Sequence, residues 1–382
     1  MSKSRIALVG AGWWSQGWHL PHLHNNGKCV LAAIIDGNAH PKSPLNAEME
    51  SLNALSERYS APTFSSLEEM MAPDSGAGPI DGVVVATNHA SHHALATQAM
   101  RDYGMHVFCE KPMTVDIDEA KDLVAVSRRA GKTFMVNNTA NWRPQTVEAM
   151  GVVESGALGT LRHATVVFHA PTQAVFDDPI NVGWNEPSGR MVGNGFAWGQ
   201  LAHPLAWLWM VSGLTPEKVF SFNGKGTNTA ADMYDACAIR CVGGATVSVS
   251  GVAKLPGNDK HIEQRLIGDD GALTYIGLDE DKGQSDGSAE GAAPRGWQGL
   301  QVARFDKTGA RAVEGFDFEE TEQDGDGAAS LNAFLDACNG APHFKGADAV
   351  VGLKAVATID AIYRSAQSGQ AESTLLEGLD LE

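Results

Sequence analysis

The stretch RIALVGAGWWSQGWH, residues 5–19, sets Gly10 and Gly12 directly after an apolar run and before a helical one. Gly10 permits a tight turn. Gly12 lets backbone N–H groups approach a pyrophosphate at a helix N-terminus, where unpaired amides and the helix dipole favour an anion. Ser15 takes the third position of this pattern, small enough for helix and strand to pack closely. The next apolar run ends at Asp36. A carboxylate there accepts hydrogen bonds from adenosine ribose hydroxyls and repels a 2′-phosphate. Strand, glycine turn, helix and acid together predict a dinucleotide site that favours NAD over NADP, with Lys42 in the following loop speaking the other way. Trp13 and Trp14 are unusual in such a loop; they read either as packing or as a wall beside the cofactor and the substrate pocket.

Other residues with chemical potential are excluded by spacing. The histidine groups HLPHLH (19–24) and NHASHH (88–93) lie with no cysteine or carboxylate at a metal-ligand interval, so no metal is expected. Of five cysteines, Cys237 and Cys241 are close in sequence. In a strand that separation spans ~13 Å, too far for a disulfide, and reduced buried thiols are expected. A net charge of −18 argues against nucleic-acid and anionic-membrane surfaces. No apolar run approaches the ~18 residues of a membrane span, and the N-terminus lacks a secretory pattern. A cytoplasmic protein with a small-molecule partner is expected.

The 382 residues predict two domains. The runs RIALVG, VLAAIID, DGVVVAT, MHVFCEK and TFMVNN lack polar alternation, as parallel strands covered on both faces do. Helical segments are expected near 15–26, 46–58, 89–103 and 115–130, which gives a doubly wound Rossmann sheet over residues 1–140. Beyond Pro144, the longer runs LRHATVVFHA, EKVFSFNG, DACAIRCV, ATVSVSGVA, HIEQRLIGD, ALTYIG and GLQVARFD predict a large, mostly antiparallel open sheet. Residues 141–382 thus form an α+β substrate-binding and oligomerisation domain. It carries helices near 200–212, 327–339 and 347–366, the last able to pack back on the first domain, and a surface loop at 283–296.

CEKP, with Glu110, Lys111 and Pro112, ends the run MHVFCEK; it follows ATNHASHHALATQAM and precedes MTVDIDEAKDLV, NNTANWRP and ESGALGTLR. This arrangement resembles the glucose-fructose oxidoreductase/inositol dehydrogenase/MocA family. The resemblance covers nearly the whole chain and is most specific up to ESGALGTLR.

The resemblance implies a dehydrogenase oxidising a secondary hydroxyl of a sugar, glycoside or cyclitol. It assigns proton transfer and substrate orientation to Lys111, and cofactor contact to Glu110, Pro112, Thr87, Asn88 and His92, alongside Gly10, Gly12, Trp13, Trp14, Ser15 and Asp36. An ammonium beside a cationic nicotinamide and partly desolvated has a lowered pKa, as a general base requires. His203, in GNGFAWGQLAHPLAWL, matches a second proton-transfer residue. Gly199 stands where relatives carry an aspartate, so Lys111 and His203 share the transfer, or Gln200, Asp177 or Asp178 fills the gap. Trp142, Arg143, Trp184, Asn194, Gln200 and His203 are the implied substrate contacts. The aromatic residues Phe176, Trp184, Phe196 and Trp198, with Asn185 and Asn194, read as a sugar-stacking pocket or as aromatic core. The family further implies a homodimer or homotetramer. Its alternatives are an NADPH-dependent keto-sugar reductase and a non-catalytic NAD(P)-binding sugar sensor.

Overall fold

In a computed structural model, described over residues 3–256, 260–276, 299–305, 308, 311–316 and 328–381, the chain divides into two compact units. The first comprises Met1–Asn138 and Ser330–Leu353, the second Thr139–Ala329 and Lys354–Glu382. The loop expected at 283–296 lies outside the described residues.

The first unit is a six-stranded parallel sheet in the order β3-β2-β1-β4-β5-β6. Its strands are β1 (Ser4–Val9), β2 (Cys29–Ile35), β3 (Thr63–Phe64), β4 (Gly82–Val85), β5 (His106–Cys109) and β6 (Phe134–Val136). Ile6, Ala7, Leu8, Val83, Val84 and Phe108 are fully buried, which explains runs without polar alternation. β3 has only two residues, too few to show a pattern, and was not expected. The helices are α1 (Leu20–Asn25), reached through a π-type turn at Ser15–His19, α2 (Leu52–Tyr59), α3 (Leu67–Met71), α4 (His92–Arg101) and α5 (Ile117–Ala130). The helix expected from residue 46 begins only at Leu52, where the Ser51 hydroxyl accepts from Ala54 N–H. In α5 the Asp116 carboxylate accepts from the Asp118 and Glu119 N–H groups, and Gly131 ends the helix at φ +60°.

The second unit holds a nine-stranded sheet in which, among the described residues, only the β7–β10 pair is parallel. The strands are β7 (Leu161–His169), β8 (Pro216–Lys225), β9 (Asp232–Cys241), β10 (Thr246–Val252), β11 (His261–Gly268), β12 (Gly271–Ile276), β13 (Gly299–Phe305), β14 (Arg311–Phe316) and β15 (Glu372–Ser373). β14 and β15 have no counterpart among the expected strands, β14 because nearly every residue in it is exposed and β15 because it is two residues long. Cys237 and Cys241 are free, buried, and on the same face of β9. The helices of this unit are α6 (Pro144–Glu154), α7 (Gln173–Phe176), α8 (Val182–Asn185) and α9 (Ala202–Ser212); α10 (Ala328–Cys338) lies mostly in the first unit, and α11 (Ala349–Ser368) runs from the first unit into the second. The division between the units falls inside α11. No helix among the described residues is long and apolar enough to cross a membrane.

Candidate active site

The glycine loop has the form a diphosphate needs. Gly10 sits at φ +97°, and a Cβ there would lie 2.5 Å from the Ala86 carbonyl oxygen, so both conformation and space demand glycine. Gly12 differs: a Cβ would meet no protein atom within 4 Å. Nothing in the fold requires glycine at 12, whereas a phosphate approaching the backbone does. Asp36 accepts from Ala11 N–H through Oδ2 and from Asn38 N–H through Oδ1, each 2.8 Å, which fixes the carboxylate at the loop while leaving lone pairs for ribose hydroxyls. The donor set thus fits a dinucleotide. In the chain that follows Asp36, a cavity of about 340 Å³ is lined by His40, Lys42, Ser43 and Ser51. Ser15 is fully buried, its hydroxyl without a hydrogen-bond partner, so it serves helix packing and not cofactor contact as expected.

Two turns at the C-terminal ends of β4 and β5 are joined through His92. That ring is fully buried, with Nδ1 2.9 Å from the Pro112 carbonyl and Nε2 3.2 Å from the Thr87 carbonyl, the Lys111–Pro112 bond being cis. His92 therefore holds the two turns together; enclosed on all sides, it cannot touch a nucleotide as the resemblance implies. Thr87 is half-buried and receives a hydrogen bond from the Ser91 hydroxyl, while Asn88 is exposed and its side chain caps no helix. His89 packs edge-on to His92, and burial, with the charges of His92 and Lys111, pushes its pKa down to about 3. Pro112 is buried.

Glu110 is buried and faces inward. Its Oε1 accepts from Trp14 Nε1 (3.0 Å) and Asn137 Nδ2 (2.7 Å) and lies 2.9 Å from His19 Nε2; Oε2 accepts from Lys111 N–H at 3.2 Å. Burial opposes its charge, but the His19 hydrogen bond and charge, with Lys111 and Asn137, outweigh it and bring the pKa down to about 2. Glu110 and Trp14 thus hold each other. Lys111 is half-buried; burial lowers its pKa and the Glu110 carboxylate partly restores it. Trp13, also half-buried, packs edge-on to Trp14.

In the second unit the missing aspartate has a steric explanation. A Cβ on Gly199 would stand 2.4 Å from Phe176 Cζ, so an aromatic ring occupies the volume an aspartate would need. Both acids offered as substitutes are engaged elsewhere. Asp177 is buried and accepts from the Asn228 and Thr229 N–H groups, and Asp178 is exposed and accepts from Ile180 N–H. Phe176, Phe196 and Trp198 are buried, so the sugar-stacking reading fails for them and core packing holds. Asn194 is buried and donates to the Gly183 and Glu186 carbonyls, and Asn185 to that of Asp178: they brace the 178–186 loop and do not face substrate. Trp142 is buried too. Trp184, Gln200 and His203 are half-buried, and Arg143 donates to the Tyr275 hydroxyl at 3.3 Å.

A family model, an oxidoreductase family with an NAD-binding Rossmann fold, matches residues 4–138. Over these residues the chain is similar to the Gfo/Idh/MocA oxidoreductases. D-apiose dehydrogenase of Paraburkholderia graminis is 30% identical over 161 residues, 42% of this chain and 39% of that protein. D-xylose 1-dehydrogenase [NADP(+)] of Haloarcula marismortui is 23% identical over 155 residues, 41% of this chain and 40% of its own length. The match thus spans less than half the length of these curated relatives. Among solved structures, the WlbA dehydrogenase of Bordetella pertussis, in complex with NADH and UDP-GlcNAcA, is similar with TM-score 0.71 and 22% identity over 97% of this chain and 99% of that one. At that identity it speaks for the fold.

Within the matched residues 4–138, sequence reasoning missed His19 and Asn137. Asn137 directly follows β6, and residues at the carboxyl ends of parallel strands line the site in such sheets, a rule that would have singled it out. His19 stands in a histidine group without metal-ligand spacing, and its partner, Glu110, is distant in sequence. Among the described residues no group of three or more His, Cys, Asp or Glu could hold a metal.

Proposed function

We propose that the chain is an NAD-dependent dehydrogenase oxidising a secondary hydroxyl of a sugar, glycoside or cyclitol, with Lys111 transferring the hydroxyl proton. The observation that carries this is the setting of Lys111: at the carboxyl end of β5, half-buried, next to a carboxylate that three side chains hold at one oxygen. Gly10, Gly12 and the opening of the helical segment would hold the diphosphate, Asp36 the adenosine ribose, and Thr87 and Asn88 the nicotinamide ribose side. Bound nicotinamide supplies the acceptor for the carbinol hydride. Lys111 orients the hydroxyl, takes its proton in its neutral form, and is returned to neutrality by solvent; its lowered pKa enlarges the neutral fraction. The names of the relatives, which act on apiose and xylose, support the sugar class.

Lys111→Ala is expected to lower turnover by about 10²- to 10⁴-fold while NAD still binds, followed by NADH absorbance and by calorimetry. Full turnover in the variant would defeat the mechanism. No NADH from a broad panel of glycosides and inositols, with NAD bound, would favour the sensor. A second reading, an NADPH-dependent keto-sugar reductase, is favoured by the cavity with His40 and Lys42 in the chain that follows Asp36.

A further inference from the structure

A phosphate cradle has no need of indoles, yet the loop that forms it carries Trp13 and Trp14. The Trp14 ring lies parallel to that of Trp18, with centroids 6.0 Å apart and 2° between planes, and Trp18 in turn packs edge-on to His19 at 4.7 Å. This stack presents the Trp14 N–H and the His19 Nε2 to one oxygen of Glu110, at 3.0 and 2.9 Å. Asn137 reaches the same oxygen from the end of β6, with its own carbonyl held by the Ser330 hydroxyl at 2.8 Å. The second oxygen of Glu110 accepts the Lys111 N–H.

We propose that Trp14 is a positioning residue: with His19 and Asn137 it immobilises the Glu110 carboxylate, and through it the main chain from which Lys111 reaches the substrate. The proposal rests on Lys111 as the proton-transfer group. Three groups from separate segments fix Oε1, and the amide of the next residue engages Oε2, so removing the Trp14 N–H loosens the carboxylate at the oxygen that anchors it to the rest of the fold. Lysine has a long, flexible stem, so the place of its backbone decides where the ammonium is found, and a displacement of ~1 Å at a reacting centre costs about 10²-fold. Trp14 thus acts on the chemical step through two intervening hydrogen bonds, and cofactor affinity does not depend on its N–H.

The test is Trp14→Phe, which keeps an aromatic ring for the stack and removes the N–H, measured by kcat, substrate KM and the calorimetric NAD Kd. A fall in kcat of about tenfold with KM and Kd within about twofold is expected. An unchanged kcat would overturn the proposal, and so would a loss of NAD affinity matching the loss of rate, which would make Trp14 a cofactor wall. Should the phenylalanine variant fold poorly, benzothienylalanine at 14, isosteric with tryptophan but lacking the N–H, is measured in the same way, and the same two results overturn the proposal. Lys111→Ala run in parallel separates the two levels. Full turnover there sinks the Lys111 reading itself, whereas a dead Lys111→Ala beside an unimpaired Trp14→Phe sinks only the role of Trp14.

Discussion

Gly199 and Phe176 share one volume. The phenyl ring lies where a side chain at 199 would begin, within a cluster that also includes Trp184 and Phe196. Adding even a methyl group there forces a buried ring to move, and overpacking of that kind costs ~1–3 kcal/mol. Gly199→Ala is therefore expected to lower the unfolding free energy by about that amount, and Phe176→Leu in the same chain to recover part of it, since the two sites are in contact. Denaturant titration of both single variants and the double variant checks this; strict additivity would contradict it. The glycine was visible in the sequence as a departure from the family pattern. Its cause was not, because Phe176 lies over twenty positions upstream and only the packed fold brings it to that point.

At the scale of elements, β9 supplies a buried acidic pair to the segment that carries His203. Asp232 accepts from Ala197 N–H at 2.7 Å, satisfying an amide at the start of the helical stretch that leads into α9, and receives the Tyr363 hydroxyl of α11. Asp235 accepts from Asn223 Nδ2 at 2.7 Å and is 3% exposed. Burial pushes the Asp235 carboxyl well above its ordinary 3.8, and the Asp232 charge pushes it the same way. In the folded protein Asp235 retains a proton that the unfolded chain has released, so unfolding gives up a proton over that window. Stability then falls as pH rises from about 3.8 toward the folded value. Asp235→Asn keeps the acceptor for Asn223 and never ionises. It is expected to melt higher than the parent at neutral pH and to lose the decline, as thermal melts between about pH 4 and about pH 8 would report. Parallel declines in both proteins would assign the effect elsewhere. Alternation along β9 marks the strand in the sequence, but the pairing of two acids three positions apart departs from it and carries no sequence signal of its own.

For the molecule as a whole, the choice between dinucleotides is the property with the widest consequence. The proposed preference for NAD rests on Asp36 and the fixed geometry of its carboxylate, and the NADPH reading on the cavity lined by His40, Lys42 and Ser43 in the following loop. A ligand that binds only the folded state stabilises it by about 2.7 kcal/mol at 100 times its Kd. NAD is expected to raise the melting temperature more than NADP at equal concentration, measured by scanning fluorimetry. The reverse order would move the assignment to the NADPH reading.

Taken alone, the sequence determined the periodic features: the parallel runs, the glycine turn, the acid after β2, the capped α5 and the Glu-Lys-Pro signature. Each is local, set by residues within a turn or two of one another, so spacing suffices to reveal it. Tertiary structure decided which of the candidate site residues are enclosed in the fold. Ser15, His92, Phe176, Phe196, Trp198 and Asn194 all have plausible site chemistry and all turned inward. Trp14 and His19 acquired a partner in Glu110, some ninety positions away. A buried polar side chain must find a hydrogen-bond partner wherever the fold offers one, and in this sheet the carboxyl ends of β1, β4, β5 and β6 stand in a row though far apart along the chain.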